Sequence, residues 1–283
     1  MTTGTRLACF GVALVVVLGA GAGLGAVAGP AVTKAAVEAP APIGEGVVST
    51  ADGYRLIPQS TNLDQSGGPF RFRIERQNGE PVRAFTASHE RLLHLVMVNR
   101  ELTVFHHVHP TLDADGTWSI NLPPLDPGSY RAVTDFWITG GPHLALGTDL
   151  SVPGGYQPTT LADPAPVSNV DGYDVTVDTE RGAGGAITAT LTVRRNGAVV
   201  TDLQPYLGAN GHLIAMRAGD LAYTHVHPID SAGETGGVVR FDATLSSAGR
   251  YGLFFDFQHN GIVHTASFTF DQGAVTGTAK MEH

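Results

Sequence analysis

The chain has 283 residues, of which 42% are hydrophobic and 15% charged, and its single cysteine is Cys9. This composition excludes a wholly disordered chain, and the position of Cys9 in the first apolar stretch excludes disulfides and thiolate metal ligands from the folded region. Acidic residues outnumber basic ones by 26 to 17, and Lys and Arg form no basic stripe, so we expect no nucleic-acid partner.

An uncharged apolar run of about 20 residues lies near the start of the chain, from Leu7 to Val27. A run of this length can cross a bilayer as a helix. Residues 1–28 are therefore predicted to be either a cleaved signal peptide or an uncleaved transmembrane anchor. Residues 29–47, rich in Ala, Pro and Val, are predicted to be a tether. Either alternative places the folded part outside the cytoplasm, secreted or anchored to the membrane.

The rest of the chain contains an internal repeat, because the same landmarks recur in the same order. The matching segments are Asp52-Gly53-Tyr54 and Asp171-Gly172-Tyr173, Asn78-Gly79 and Asn196-Gly197, His94-Leu95 and His212-Leu213, His107-Val108-His109-Pro110 and His225-Val226-His227-Pro228, Gly128-Ser129-Tyr130 and Gly249-Arg250-Tyr251. We predict repeat 1 over residues 48–153, a linker over 154–167, repeat 2 over 168–272 and a flexible tail over 273–283.

Each repeat consists of short apolar runs separated by turn residues, which is typical of β-sandwiches. The runs predicted as strands include 70–76, 94–98, 103–109, 117–122, 130–137, 144–152 and 188–195. The pairs Asn78-Gly79 and Asn196-Gly197 predict type I′ hairpin turns, in which both central residues have positive φ. The predicted fold is all-β, with two tandem immunoglobulin-like β-sandwich domains after the N-terminal apolar helix.

Eight of the twelve histidines occupy matching positions in the two repeats. Residues i and i+2 of a strand lie on one face, so His107 and His109 are expected to present their rings side by side. Neutral imidazole is a common ligand of Cu(II) and Zn(II), and a carboxylate can complete or orient the ligand shell. We therefore predict one metal site at the end of each sandwich. The candidate ligands are His94, His107, His109, Asp135 and His143 in repeat 1, and His212, His225, His227, Asp256 and His264 in repeat 2.

The same histidines have a purely structural interpretation, in which each ring bonds a loop carbonyl or a carboxylate in the sandwich. His89, His106 and His259 have no counterpart in the other repeat, so they are expected to be surface or peripheral residues. Phe105 and Tyr223 are expected to pack in the core or to cover the site.

The combination of an HL pair, an HxHP motif, a G-x-Y and a D-F pair resembles a group of poorly characterised exported bacterial proteins. These proteins carry tandem cupredoxin-like or immunoglobulin-like domains and are often encountered near heavy-metal handling genes. The resemblance covers residues 48–271. It implies that His94, His107, His109 and their counterparts in repeat 2 face the metal.

Three functions agree with these features. The favoured one is an extracytoplasmic metal-binding protein, a buffer, sensor or delivery partner for Cu(II) or Zn(II), whose partners are the metal ion, the membrane through the N-terminal segment and another envelope protein. The alternatives are a structural or adhesive envelope module and a copper or zinc metalloenzyme. No nucleophile elbow, phosphate loop or HExxH motif occurs in the sequence, so a binding protein is favoured over an enzyme.

Overall fold

A computed structural model describes residues 41–229 and 236–273. The predicted leader, the predicted tether up to residue 40 and the tail from residue 274 lie outside this range. In the part of the chain that is described, no helix has the length and apolar character needed to cross a membrane.

The first repeat folds into two antiparallel sheets that face each other. Its strands are β1 (Thr50–Ala51), β2 (Tyr54–Pro58), β3 (Gly68–Arg76), β4 (Phe85–Thr86), β5 (His94–Asn99), β6 (Phe105–Val108), β7 (Thr111–Leu112), β8 (Thr117–Leu122), β9 (Gly128–Ile138) and β10 (His143–Val152). One sheet has the order β1-β2-β3-β8-β7 and the other β10-β9-β5-β6, with β4 paired to β9.

The second repeat has the same arrangement. Its elements are β11 (Val167–Val170), β12 (Tyr173–Arg181), the 3-10 helix η1 (Ala183–Gly185), β13 (Ala186–Arg195), β14 (Ala198–Val199), β15 (His212–Arg217), β16 (Tyr223–His225), β17 (His227–Pro228), β18 (Val238–Thr244), β19 (Gly249–His259) and β20 (Ile262–Gln272). The sheets have the orders β11-β12-β13-β18-β17, with β14 on β13, and β16-β15-β19-β20. The prediction of an all-β chain with two tandem immunoglobulin-like sandwiches is confirmed.

Each sandwich has its own apolar core, and a third apolar cluster lies between the two repeats. The alternation of strand residues explains this arrangement. In β5, Leu95 and Met97 belong to the core of repeat 1, whereas Val96 and Val98 belong to the cluster between the repeats. The sheet that contains β5 is therefore buried on both faces.

The outer faces of the β5 sheet and the β15 sheet pack against each other. Ile214 and Met216 of β15 join the same cluster as Val96 and Val98. The rings of Phe105 and Phe254 stack across the contact, with centroids 4.1 Å apart and an angle of 8° between their planes. These apolar contacts hold the matching histidine-bearing sheets of the two repeats together.

The end of the predicted tether is bound to both repeats by backbone hydrogen bonds. The backbone of Gly46 donates to Ala145 of β10 at 2.9 Å, while Glu45 accepts from the backbone of Tyr223 at 2.8 Å. Gly46 has φ 66, and a Cβ at this position would lie 2.7 Å from the Val133 side chain. This segment therefore fits between the two repeats only because it has no side chain at residue 46.

The two Asn-Gly turns differ. Asn196 and Gly197 have φ values of 51 and 79, as a type I′ turn requires. At the first turn only Gly79 has positive φ, and the Asn78 side chain instead accepts from the backbone of Glu80 at 3.0 Å. The type I′ prediction is therefore wrong for Asn78-Gly79, because the asparagine side chain stabilises a longer loop there.

Candidate metal centre

Three histidines of repeat 1 form the candidate metal centre. His94 begins β5, His107 lies in the paired strand β6, and His109 follows at i+2. One nitrogen from each ring lies within 4.8 Å of the others. The i, i+2 spacing places His107 and His109 on the same face of the sheet, the face that packs against repeat 2.

The hydrogen bonds of His94 leave its Nδ1 unprotonated. Its Nε2 lies 3.1 Å from the backbone oxygen of Ser88, which can only accept, so Nε2 carries the hydrogen. Burial, followed by the nearby His107 ring, lowers the pKa of His94 to about 4. The ring is therefore neutral near pH 7, and the lone pair of Nδ1 is available to a cation.

The orientation of His107 is fixed from repeat 2. Its Nδ1 donates to Oδ2 of Asp256 at 2.9 Å, which leaves Nε2 as the nitrogen that faces His94. Nε2 lies 3.1 Å from Nδ1 of His94. Two unprotonated nitrogens at this distance repel each other, so the pair needs a cation, either a proton or a metal ion.

The surroundings of His109 favour a metal ion over a proton between His94 and His107. Its Nε2 is buried and has no hydrogen-bond partner among the described residues. Burial, with smaller contributions from the rings of His107 and His94, lowers the pKa of His109 to about 2, so this ring is also neutral. A proton between His94 and His107 would leave His109 without a partner, whereas one metal ion could be bound by all three rings.

The spacing of the rings fits a shared ion. Ring centroids are 5.3 Å apart for His94 and His107, 5.0 Å for His94 and His109, and 4.9 Å for His107 and His109. Three imidazoles that bind one tetrahedral Zn(II) keep their centroids about 5 Å apart, since each metal-nitrogen bond is about 2 Å. Three neutral nitrogen ligands suit Zn(II) and Cu(II) and leave a coordination position for another ligand.

Residues of both repeats surround the three histidines. His212, the counterpart of His94 in repeat 2, lies with its ring 6.3 Å from the His94 ring and 6.2 Å from the His107 ring. Its Nε2 donates to the backbone oxygen of Leu207 at 3.3 Å, and burial above all lowers its pKa to about 3. A further neutral imidazole, that of His212, therefore lies next to the three-histidine group.

Two further residues at the edge of this centre were not predicted from the sequence. His89, expected to be peripheral, has its ring 4.9 Å from His212 and 6.1 Å from His94. The ring of Tyr206 lies 5.9 Å from that of His212, and burial raises the pKa of Tyr206 to about 12. Neither residue has a counterpart in the other repeat, so the repeat pattern contained no signal for them.

The structure does not bring Asp135 and His143 into the three-histidine group. The Asp135 carboxylate bonds Nε2 of His143 at 2.5 Å and accepts from the Tyr223 hydroxyl of repeat 2 at 2.7 Å. The ring of Trp137 stacks on His143 with centroids 4.4 Å apart. Both carboxylate oxygens thus have partners outside the three-histidine group, although Asp135 itself pairs in register with His94. Tyr223 belongs to this network between the repeats.

His264 lies on the opposite face of its sheet from the position predicted by its alignment with His143. The two hairpins differ by one residue in spacing: nine residues separate Asp135 from its partner Ala145, whereas eight separate Asp256 from its partner Thr265. A register difference of one residue moves a side chain to the other face. The His264 ring is consequently buried in repeat 2 against Tyr173, and its Nδ1 bonds the exposed carboxylate of Asp171 at 2.7 Å.

The predicted ligands His225 and His227 lie in strands of different sheets, β16 and β17. His225 pairs in register with Ile214 of β15, and His227 pairs with Asp242 of β18. The side chains of His225 and His227 lie outside the described part, so the predicted second site remains a prediction. His259, expected at the periphery, is instead buried, with its Nδ1 2.6 Å from the Tyr173 hydroxyl.

Solved structures similar to this chain include three distant ones. A DUF4426 family protein from Pseudomonas aeruginosa is 11% identical, with 38% of this chain and 94% of that one covered and a TM-score of 0.31. The N-terminal Ig1-2 module of the Drosophila receptor protein tyrosine phosphatase DLAR is 10% identical, with coverage of 78% and 98% and a TM-score of 0.20. Invasin, a bacterial integrin-binding protein, is 12% identical, with coverage of 79% and 40% and a TM-score of 0.25.

No curated protein matches the sequence. A family model matches twice, over residues 49–150 and over residues 168–274, which are the two repeats. The chain therefore belongs to the family described as Domain of unknown function (DUF8832).

Proposed function

We propose that this protein binds a Cu(II) or Zn(II) ion through His94, His107 and His109. One observation carries the proposal: Nδ1 of His94 and Nε2 of His107 face each other at 3.1 Å, beside the buried Nε2 of His109, which has no hydrogen-bond partner among the described residues. Burying polar nitrogens without partners costs free energy, and a metal ion would satisfy all three at once.

The biological role that follows is an extracytoplasmic metal-binding protein, a buffer, sensor or delivery partner. The apolar run from Leu7 to Val27 supports a location outside the cytoplasm. A site made only of neutral nitrogen ligands supports Cu(II) and Zn(II) over hard cations such as Mg(II) or Ca(II), which prefer oxygen.

Substitution of His109 is the sharpest test, because its Nε2 has no hydrogen bond to lose. The purified chain should bind about one Zn(II) or Cu(II) tightly at this centre, and His109→Ala should weaken that binding by more than about 100-fold, beyond the effect of an outer-shell residue. Isothermal titration and elemental analysis of the dialysed protein measure both quantities.

His106→Ala is the matched control. His106 adjoins His107 in β6 but pairs with Met97, on the opposite face of the sheet. This variant should bind metal as the wild type does. Absence of tight binding by the wild-type chain, or an equal loss in both variants, would refute the proposal.

For three other buried histidines we propose a structural role. His143, His259 and His264 lie beside the carboxylates of Asp135, Asp202 and Asp171, respectively. At least one ring nitrogen of each therefore already has a hydrogen-bond partner. This arrangement supports the hydrogen-bonded alternative for these three residues, and the metal-binding alternative for the group of three in repeat 1.

A further inference from the structure

The carboxylate of Asp256 extends from repeat 2 to a candidate ligand of repeat 1. Its Oδ2 lies 2.9 Å from Nδ1 of His107, and both side chains are only 3% exposed. Its Oδ1 accepts from the Thr265 hydroxyl at 2.6 Å. Asp256 itself pairs in register with His212 at the start of β15.

This contact determines which nitrogen of His107 can bind a metal. A carboxylate accepts the Nδ1 hydrogen, so the ring is held with Nε2 turned towards His94, and in the neutral ring Nε2 is the nitrogen with the lone pair. Carboxylates that accept from the remote nitrogen of a ligand histidine also raise the basicity of the ligand nitrogen. The carboxylate thus sets the orientation of the His107 ring and increases the basicity of its Nε2.

The burial of Asp256 is a second, independent reason to expect a cation beside His107. A buried carboxylate is costly unless positive charge or strong donors compensate for it. The donors that contact Asp256 here, the His107 ring and the Thr265 hydroxyl, carry no permanent charge. A divalent cation on the far side of the His107 ring would supply the missing positive charge.

The matching carboxylate of repeat 1 has described partners of its own. Asp135 aligns with Asp256, and its oxygens contact His143 and Tyr223, neither of which belongs to the three-histidine group. Among the described contacts, the three candidate ligands come from repeat 1 and the carboxylate that orients His107 comes from repeat 2.

We propose that Asp256 is a positioning residue through which repeat 2 sets the metal affinity of the His94, His107 and His109 centre. This inference rests on the proposed metal-binding function. The ion then links the repeats, because binding is tightest only when repeat 2 is docked with Asp256 against His107. By thermodynamic reciprocity, the bound ion also favours the docked arrangement.

Asp256→Asn isolates the charge of the carboxylate. The amide oxygen can still accept from His107 and the amide nitrogen can donate to the Thr265 hydroxyl, so both hydrogen bonds can persist. We expect the Kd for Zn(II), measured by competition with a chromophoric chelator, to rise about 10- to 100-fold. The thermal midpoint of the metal-free variant should stay close to that of the metal-free wild type, which a purely structural role would not predict.

Asp171→Asn is the matched control, since Asp171 bonds His264 in the same way at 2.7 Å but contacts none of the three histidines in the pairs described. Its Kd for Zn(II) should equal that of the wild type. If wild type binds Zn(II) and Asp256→Asn binds equally well, the positioning role is refuted while the metal site stands. If wild type binds no metal, the proposed function itself fails.

A measurement on the wild type tests the same inference without depending on whether a variant folds. Nitrogen-15 NMR of the imidazoles in the Zn(II)-loaded chain should show His107 bound through Nε2 with its Nδ1 hydrogen retained. Coordination through Nδ1 would overturn the inference, because that nitrogen could not then donate to Asp256.

Discussion

Histidines in similar sequence contexts have two kinds of partner in this protein. In the first kind, His94 and His107, one ring nitrogen donates to a fixed oxygen and the other faces a second histidine. In the second kind, His143 and His264, a ring nitrogen bonds a carboxylate and the ring stacks on aromatic neighbours. The first arrangement leaves lone pairs for a metal, and the second contributes to the stability of the fold.

Tyr223→Phe tests the second kind of network at the residue scale. The substitution removes the hydroxyl that donates to the buried Asp135 carboxylate at 2.7 Å. Loss of a donor to a buried charged group should lower the free energy of unfolding by about 1–3 kcal/mol. Urea denaturation measures the change, and the Kd for Zn(II) should not move.

Tyr156→Phe serves as the comparison, because the Tyr156 hydroxyl donates to Glu101 at the surface. Its effect on the free energy of unfolding should stay within about 0.5 kcal/mol. Equal losses of unfolding free energy in the two tyrosine variants would show that the Asp135 network stabilises the fold no more than a surface hydrogen bond does.

At the scale of elements, hairpin spacing decides which face a histidine occupies. The β9-β10 and β19-β20 hairpins have similar strands, yet Asp135 pairs with Ala145 while Asp256 pairs with Thr265. His143 therefore shares a face with Asp135, and His264 turns into the interior of repeat 2. The two-residue turn at Asn196 and Gly197 likewise sets a register, in which Arg195 pairs with Ala198.

Gly197→Ala tests the conformational demand of that turn. Gly197 has φ 79, and no heavy atom lies within 4 Å of the position that a Cβ would take. The only expected cost is therefore that of the left-handed backbone, about 1–2 kcal/mol. Urea denaturation should show this loss for Gly197→Ala.

Gly155→Ala provides the control, because Gly155 has equal space for a Cβ but no positive φ. This variant should change the free energy of unfolding by less than about 0.5 kcal/mol. A neutral Gly197→Ala variant would show that the turn has a different backbone conformation from the one described.

At the scale of the whole molecule, packing of the two repeats adds Asp256 to the candidate metal centre, whose three histidines already lie together in repeat 1. The cluster around Val98, Met216 and Phe254 joins the sheets, and this contact places Asp256 against His107. A ligand that binds only the folded chain stabilises it by mass action. Metal should therefore stabilise both repeats together rather than the ligand-bearing repeat alone.

Thermal unfolding with and without Zn(II) tests this expectation. At a free concentration about 100 times the Kd, Zn(II) should add about 2.7 kcal/mol to the free energy of unfolding. The midpoint should fall back when a chelator removes the ion, and His109→Ala should show no rise. The same rise in His109→Ala would indicate binding elsewhere on the protein.

Much of the fold could be predicted from the sequence, because strand alternation and turn residues are local properties. The run at 117–122 is β8 as predicted, and the run at 70–76 lies within β3. The duplicated histidines also indicated the repeat. Part of the site was equally local: the i, i+2 spacing placed His107 and His109 on one face, and His94 on the adjacent strand.

The rest depended on tertiary structure. Nothing near Asp256 in the sequence indicates that its carboxylate meets His107, 149 residues away, since this contact exists only when two sandwich faces dock. The place of His89 beside His212 and the turn of His264 into the interior likewise follow from docking and from one residue of hairpin spacing. Local periodicity determines which residues share a face of a sheet. Only long-range packing decides which faces meet, and the candidate centre lies where the outer faces of the two repeats meet.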